Sequence, residues 1–324
     1  MKKCCFIIPY FGKFPEYFSI FLKTCAARSQ DYQWLIFTDD KREFDYPSNV
    51  NIIYTTFTEI VNKIQSKFEF KVVINEPHKL CDFKPAYGYI FEEYLKEYEF
   101  WGHCDLDTII GDLDNLLTRD ILDNYDKIFC LGHMILYRNT YDNNRVFMKP
   151  WKGRLLYKES FSSQKTTIFD ETFRDDKNIH SIFLSEKKRV FEDDWSVNFL
   201  IQPTKFIRTK YDAKIKGFVN ENSKEEYLYV WDNGHVYRFY LKNNKLKREE
   251  FLYMHLQLRK MTYKQEILFM DKFKIIPEKF MPIEEWPITV DNLKKIKKYT
   301  FNHHFINMKI HNFKHKIKKI RENA

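Results

Sequence analysis

Short apolar runs alternate with longer mixed segments over the first part of the chain. The predicted strands are Cys4–Pro9, which is apolar throughout, Trp34–Asp40, which ends in two acids, and Asn51–Thr55, and the segments that fit helices are Pro15–Ala27 and Thr58–Phe68. A continuous apolar run of this length is typical of a strand that is buried on both faces of a parallel sheet. Strands that alternate with helices predict βαβ units, so we expect an α/β fold with a mostly parallel sheet flanked by helices.

After residue 80 the pattern continues with less regularity. We expect helices over Asp82–Tyr98 (with Asp82 as N-cap) and Leu113–Tyr125, and a strand over Lys127–Tyr137. Further on, Asn233-Gly234 separates two runs of apolar and aromatic residues, which predicts a small β-hairpin region with a two-residue turn. Residues 150–190 are polar with scattered aromatic residues, which suggests an insertion.

The stretch Phe100–Leu113 contains an apolar strand that ends in two carboxylates, Asp105 and Asp107. In an extended chain these two side chains point the same way, while Leu106 turns back into the core. Two carboxylates held side by side repel each other and are costly to bury. A divalent cation such as Mg²⁺ or Mn²⁺ removes that cost and typically takes one or two carboxylates together with phosphate oxygens. The alternative interpretation is a polar turn after a strand.

Together with Lys79–Tyr89 before it and Gly111–Leu113 after it, this motif resembles the Asp-x-Asp motif of GT-A-type glycosyltransferases. Proteins from bacterial capsular and cell-surface polysaccharide gene clusters are similar, over about residues 1–140. The resemblance implies a GT-A-like, Rossmann-like sheet and a cofactor, Mn²⁺ or Mg²⁺, held by Asp105 and Asp107. It also implies transfer of a sugar from a nucleotide diphosphate, with UDP as the expected nucleotide, to a polysaccharide or a lipid-linked oligosaccharide.

Three loops follow the strands of the predicted sheet, and ligands of such sheets bind beyond the carboxyl ends of the strands. The candidates for binding the donor base, ribose and phosphates are Pro9, Tyr10, Phe11, Asp39, Lys84 and Asp105. Lys84 falls at the start of a predicted helix, where the helix dipole disfavours a cation unless both face phosphate. The alternative for Lys84 is a solvated surface side chain.

Two histidines are further candidates. The resemblance implies that His133, on the strand after the metal motif, lies beneath the donor sugar, although a histidine in an apolar run is also typical of a core residue. It implies that His255 completes the metal sphere, and a neutral imidazole suits Mn²⁺ better than Mg²⁺. Tyr253, His255, Gln257 and Arg259 would share one face of a strand, so the alternative for His255 is an exposed polar strand face.

A second acidic cluster, Glu192-Asp193-Asp194, precedes the apolar run Trp195–Ile201, which we expect to be helical. Transfer of a sugar to a hydroxyl needs a carboxylate that accepts the proton of the acceptor, so these three acids are the candidates for the general base. Alternatively they only place negative charge at a helix N-terminus.

The net charge of +9 belongs to the end of the chain, because residues 292–324 contain ten Lys and Arg against one Glu. Ile306, Ile310, Phe313, Ile317 and Ile320 recur there at steps of four and three, as on one face of a helix. Such a basic amphipathic helix fits an anionic membrane surface, and the alternative is a helix docked on its own domain. We therefore expect a transferase domain over 1–290, divided into a nucleotide part (1–140) and an acceptor side (141–290), and a tail over 291–324.

The six cysteines show no Cys-x-x-Cys spacing and are expected to be reduced thiols of a cytoplasmic protein. The first apolar run is too short for a signal peptide, and no stretch approaches the ~18 apolar residues that cross a bilayer. With the tail bound, the protein would lie on the inner face of the cell membrane.

Two other functions compete. A sugar nucleotidyltransferase would carry a Gly-rich phosphate loop with Arg after the first strand, whereas Tyr10–Pro15 is aromatic and has one glycine. A nucleic-acid-binding protein is suggested by the sequence pI of about 9.0 and the basic tail. The neutral remainder of the chain argues against it, because such proteins usually show a basic face on the fold itself.

Overall fold

The computed structural model describes residues 1–172, 175–200, 206–221, 227–257 and 259–297, together with 306, 307, 310, 313 and 314. The strands in this part of the chain are β1 (Lys2–Pro9), β2 (Tyr32–Thr38), β3 (Val50–Tyr54), β4 (Tyr98–Cys104), β5 (Thr108–Ile110), β6 (Lys127–Ile128), β7 (Met134–Arg138), β8 (Val190–Phe191), β9 (Ser196–Val197), β10 (Phe199–Leu200), β11 (Ile207–Asp212), β12 (Gly217–Asn220), β13 (Leu228–Asp232), β14 (His235–Lys242), β15 (Lys245–Phe251), β16 (Tyr253–His255), β17 (Lys272–Ile276) and β18 (Lys279–Met281). The α-helices are α1 (Phe18–Ala26), α2 (Phe57–Ser66), α3 (Tyr87–Ile90), α4 (Leu113–Leu116), α5 (Arg119–Asn124), α6 (Leu156–Phe161), α7 (Ile179–Ser185) and α8 (Leu293–Ile296), and 3₁₀ helices cover Pro77–Ala86, Glu92–Tyr94, Asn143–Met148 and Gln265–Phe269.

The central sheet has the strand order β3-β2-β1-β4-β7-β6-β8. Its neighbours are parallel except at β7, which runs antiparallel to both β4 and β6. The expected mixed α/β architecture with a mostly parallel sheet is therefore confirmed. Since β6 and β8 run in the same direction as β1 and β4, the carboxyl ends of all these strands lie at one edge.

Both faces of the central sheet are buried, which explains the continuous apolar run of β1. Cys5 and Ile7 enter the apolar core on one face, and Cys4, Phe6 and Ile8 enter the core on the other. A strand exposed on one face would have shown alternating polar residues instead.

A three-stranded sheet, β5-β16-β9, lies beyond the end of β4. In this sheet β16 pairs antiparallel with β5, so that His255 lies opposite Thr108, and the Leu256 N–H donates to the Asp107 carbonyl at 2.8 Å. This pairing joins two parts of the chain that are far apart in sequence, directly beside the acidic motif.

The late strands form a five-stranded antiparallel sheet, β15-β14-β13-β17-β18. The hairpin predicted from Asn233-Gly234 is confirmed: Asp232 pairs with His235, and both turn residues have positive φ, 47° and 90°. Helix α8 packs on this sheet with Leu293 and Ile296 buried. The first turn of the predicted tail thus contributes to the core of this sheet.

Several expected elements differ from the structure. The helix expected over 82–98 is wrong: the region is a 3₁₀ helix, the short α3 and a second 3₁₀ helix, and Asp82 is buried inside the first of these and does not cap a helix. The strand expected over 127–137 is two antiparallel strands, β6 and β7, and the helix over 113–125 is split into α4 and α5. The apolar run after Asp194 forms the strands β9 and β10, so the helix expected there is also wrong.

In the tail, Ile306, Ile310 and Phe313 are exposed, and the other two positions of the predicted stripe, Ile317 and Ile320, lie outside the described residues. Among the residues that the structure describes, no helix combines the length and the apolar character needed to cross a membrane.

Candidate functional site

Asp105, Asp107 and His255 meet at the edge of the central sheet. One ligand atom from each of them lies within 4.8 Å of the others. The two aspartates flank a tight turn between β4 and β5, in which the Thr108 hydroxyl donates to the Asp105 carbonyl at 2.8 Å. Leu106 between them is buried, as expected. The carboxylates therefore converge because of a turn that exposes Asp105 and buries Asp107, and not because of an extended chain.

The imidazole of His255 is held in one orientation. Its Nδ1 lies 3.1 Å from the Asn198 Oδ1, and its ring stacks on His133 with 4.4 Å between centroids. With the amide oxygen accepting from Nδ1–H, the Nε2 atom is the one that faces Asp107, at 3.5 Å from its Oδ1. Burial alone would lower the pKa of His255, but the charge of Asp107 raises it above its ordinary value. A cation bound at Nε2 would take the place of the proton that this raised pKa favours.

Lys84 is buried beneath the acidic pair. Its ammonium donates to the Asp105 Oδ1 and to the Gly132 carbonyl, both at 2.8 Å. Burial by itself would lower the pKa of Lys84, but the surrounding carboxylates of Asp105 and Asp170 raise it well above its ordinary value, so the side chain stays charged. Lys84 lies near the end of a 3₁₀ helix, so both the helix N-terminus and the solvated side chain considered for it are wrong.

Asp170 is a residue of this site that the sequence pattern does not reveal, because it lies in the irregular segment 150–190. Its buried carboxylate is 3.5 Å from the Lys84 ammonium. Next to it, Glu171 accepts the Gly132 N–H at 2.7 Å. A Cβ at Gly132 would lie 2.6 Å from the Asp170 Oδ2, so a larger residue there would displace the Asp170 carboxyl. Burial raises the pKa of Asp170 to about 7, against the opposing charge of Lys84.

The carboxyl of Asp170 is expected to make the folded protein less stable as pH rises from about 4 to about 7. Its folded pKa of about 7 lies above the ordinary value of 3.8, so the folded state holds a proton that the unfolded state releases, and this advantage is lost across that range. Asp170→Asn keeps the shape without the titration, so its free energy of unfolding should fall less between the two pH values. Each pKa unit removed corresponds to about 1.4 kcal/mol. Urea unfolding at both ends of the range measures the difference, and parallel curves for the two proteins would contradict it.

His133 lies inside the site and is not a surface residue. Its Nδ1 is 2.7 Å from the Tyr253 hydroxyl, and its carbonyl accepts the Asp105 N–H at 3.0 Å. Burial, and then the nearby His255 and Lys84, lower the pKa of His133 well below its ordinary value, so its ring is neutral. His133 thus supports both the acidic turn and the ring of His255, and its contact with a donor sugar stays a prediction.

The loop after β1 lies beside the same cluster. Burial, and then the charges of Asp107 and Asp40, raise the pKa of Tyr10, whose phenol is close enough to sense Asp107. Asp39 accepts the Gly12 N–H at 2.7 Å and so fixes the loop, whereas Phe11, in contact with Phe57, belongs to the core. Pro9 is the last residue of β1. Their part in binding a nucleotide stays a prediction.

The acidic cluster 192–194 is divided among three environments. Both carboxylate oxygens of Asp194 are used inside the fold, because they accept the Ser196 N–H and hydroxyl and the Tyr211 N–H at 2.6–2.9 Å. Asp193 is exposed. The Glu192 Oε1 lies 2.9 Å from the His180 Nε2. A role for any of them as general base stays a prediction, but Asp194 already has a structural one.

Comparisons with known proteins give a family and distant structural neighbours. A family model described as "Family of unknown function (DUF6625)" matches residues 6–284. No curated protein sequence matches the chain. Among solved structures, the apo-form glycosyltransferase GlyE of Streptococcus pneumoniae TIGR4 is similar with a TM-score of 0.33 and 11% sequence identity. That match covers 60% of this chain and 46% of GlyE, so the chain spans about half the length of this neighbour.

Proposed function

The chain belongs to the family of unknown function DUF6625, and we propose that it is a metal-dependent glycosyltransferase of the GT-A type. It would move a sugar from a nucleotide diphosphate, with UDP as the expected nucleotide, to a polysaccharide or lipid-linked oligosaccharide. The observation that carries this proposal is the meeting of Asp105, Asp107 and His255 within 4.8 Å at the carboxyl edge of the sheet. Parallel sheets bind their ligands at that edge.

The residues of the cluster fit a divalent cation. Two carboxylates and one imidazole form a donor set that suits Mn²⁺ well and Mg²⁺ less well. Metal-binding histidines typically have the second ring nitrogen held by another polar group, and Asn198 holds the Nδ1 of His255 in this way. A bound cation would neutralise negative charge on the diphosphate as the sugar leaves it.

Lys84 acts through Asp105. Its ammonium fixes the Oδ1 of Asp105 at 2.8 Å, while the Asp105 side chain stays 36% exposed and can reach a ligand. The buried positive charge also offsets the repulsion between the two aspartates. Because the Gly132 carbonyl and Asp170 hold Lys84 in place, this arrangement exists before any ligand arrives, which is the condition for efficient electrostatic stabilisation.

The loop Tyr10–Phe14 disfavours a sugar nucleotidyltransferase. Backbone N–H groups that would bind a triphosphate are used inside the fold: Gly12 donates to Asp39 at 2.7 Å and Phe14 donates to Asp40 at 2.8 Å. Base and ribose would instead lie against Tyr10, next to the cluster. Binding of the tail to an anionic membrane stays a prediction, since its apolar stripe lies only partly within the described residues.

Thermal unfolding with nucleoside diphosphates tests the proposal. UDP, GDP and ADP are each added with Mn²⁺, with EDTA, and without metal. We expect UDP and Mn²⁺ together to raise the Tm by more than the sum of their separate effects, because a cation that neutralises the diphosphate would make each of the two bind more tightly in the presence of the other. A ligand at a hundredfold excess over its Kd contributes about 2.7 kcal/mol to the free energy of unfolding. If none of the three nucleotides stabilises the protein more with Mn²⁺ than with EDTA, the proposal is wrong.

A further inference from the structure

A cavity opens at the same edge of the central sheet as the metal cluster, at the ends of β6 and β8. Its volume is about 330 Å³, within the range of roughly 300–1,000 Å³ typical of small-molecule pockets. Its lining includes Thr172, Asn178, His180, Ser181, Glu192 and Tyr211. The metal cluster lies at the ends of β4 and β5, so the cavity is displaced from it along the sheet edge, on the far side of β7.

His180 and Glu192 form an oriented pair in the wall of this cavity. The His180 Nδ1 lies 3.5 Å from the ammonium of Lys127, which is completely buried and also donates to the Phe129 carbonyl at 2.6 Å. An ammonium can only donate, so it makes Nδ1 an acceptor and leaves the ring proton on Nε2, where it is donated to Glu192 at 2.9 Å.

The same contacts keep His180 in one charge state. Burial, and then the charges of Lys127 and Lys216, lower the pKa of His180 to about 2, so the ring stays neutral. Glu192 therefore receives a hydrogen bond without receiving a proton. Its side chain is 37% exposed, which leaves the carboxylate able to reach a molecule in the cavity.

One short segment, Cys130–Gly132, links the wall of the cavity to the metal cluster. On the cavity side, the Thr172 N–H donates to the Cys130 carbonyl at 3.2 Å. On the other side, the Gly132 carbonyl accepts from Lys84, which holds Asp105. The wall of the cavity and the cluster that would hold the donor are therefore joined through three consecutive residues.

We propose that this cavity binds the sugar acceptor and that Glu192, oriented by His180, accepts the proton of the attacking hydroxyl. This rests on the proposed function. The lining mixes carboxylates (Asp175, Asp176), an amide, hydroxyls and an ammonium (Lys216). Such a mixture suits sugar hydroxyls, which both donate and accept, better than a simple cation or anion.

The step balances without a further reactant. The acceptor oxygen forms a bond to the anomeric carbon while the bond from that carbon to the diphosphate breaks. The nucleoside diphosphate leaves with the bonding electron pair, and the hydroxyl proton passes to Glu192. Glu192 is thus the catalytic residue, and His180 and Lys127 are positioning residues.

Saturation-transfer NMR with methyl β-glucoside, methyl β-galactoside and methyl N-acetylglucosaminide tests the site. We expect at least one of these glycosides to bind the wild-type protein and to lose its signal in Ser181→Phe, which fills the cavity. The matched control is Glu186→Gln at the exposed end of the same helix, where the signal should remain. If Ser181→Phe does not fold, Glu192→Ala takes its place in the same comparison. Equal signals in the wild type and the cavity variant, or no signal from any glycoside, would overturn the proposal.

A second variant tests the chemical role. Glu192→Gln keeps the size of the side chain, so glycoside binding should stay within about threefold, while transfer to the bound glycoside should fall by about 10²-fold or more. An unchanged rate removes Glu192 from the reaction. Stabilisation by UDP and Mn²⁺ should be the same in all these variants. If that stabilisation is absent even in the wild type while glycosides still bind, the proposed function fails and the sugar site stands.

Discussion

Replacing Asp107 with Asn is expected to abolish the Mn²⁺-dependent part of the stabilisation by UDP and to leave the fold intact. Asp107 is the buried acid of the cluster, and it lies 3.5 Å from the His255 Nε2. The amide has nearly the same shape but lacks the negative charge that a divalent cation requires. It also removes the charge that raises the pKa of His255. We expect apparent Mn²⁺ affinity to fall by at least about 100-fold, the upper end of the loss seen on removing an outer-shell partner alone. Thermal unfolding with UDP, with and without Mn²⁺, measures it.

Two further variants make this result specific. Asp123→Asn changes an exposed acid on α5, 67% exposed, and should keep the full metal-dependent shift. Asn198→Ala removes the partner of the His255 Nδ1 and should weaken Mn²⁺ binding by about 10–100-fold, between the other two variants. A full metal-dependent shift in Asp107→Asn would show that the acidic motif has only a structural role.

The first strands could be predicted from the sequence because burial on two faces leaves a clear pattern. The runs Cys4–Pro9 in β1 and Trp34–Phe37 in β2 are apolar throughout, whereas the edge strand β3 carries the exposed Asn51. The segments that follow β1 and β3 are amphipathic enough to be recognised as helices. The hairpin at Asn233-Gly234 was equally predictable, because a two-residue turn with positive φ strongly favours these two residues. In both cases a local property of the chain decides the structure.

The region around Asp82 could not be predicted, because distant residues decide its structure. Local rules make Asp82 an N-cap, but its carboxylate instead accepts the N–H groups of Thr167 and Phe169. The region forms 3₁₀ turns and does not form the expected helix. Asp194 shows the same effect: an acid that looks like a helix N-terminus accepts hydrogen bonds from Ser196 and Tyr211 and lies between strands.

The candidate site could be predicted only where a local pattern of the chain determines it. Asp105 and Asp107 are separated in sequence only by Leu106, so their proximity needed only a local argument. His255 reaches them through the pairing of β16 with β5, which no local pattern indicates, and it was found only through the resemblance to GT-A enzymes. Neither a local pattern nor the resemblance indicates Asp170, because it comes from an irregular segment and reaches Lys84 only through the tertiary structure.

The ion pair of Lys79 and Asp82 is expected to be the costliest pair in this region to break. The two side chains are 3% and 0% exposed and their charged atoms are 2.6 Å apart. Lys79 also donates to the Ser160 and Lys165 carbonyls. Asp82→Asn would leave the lysine charge buried without its counter-charge, and removing one partner of a buried pair typically costs about 3–5 kcal/mol. The midpoint of urea unfolding should fall accordingly.

The matched control is Glu92→Gln, in an exposed pair with Lys67 at 3.1 Å, where the loss should be at most about 1 kcal/mol. Replacing both partners, Lys79→Met with Asp82→Asn, should recover part of the stability, because no unpaired charge then remains and the amide oxygen can still accept an N–H of the 167–169 segment. Asp82 also holds the segment that leads directly to Asp170, so Asp82→Asn should weaken stabilisation by UDP and Mn²⁺ even where the variant is fully folded. Equal unfolding midpoints for Asp82→Asn and Glu92→Gln would show that the buried pair contributes no more than a surface pair.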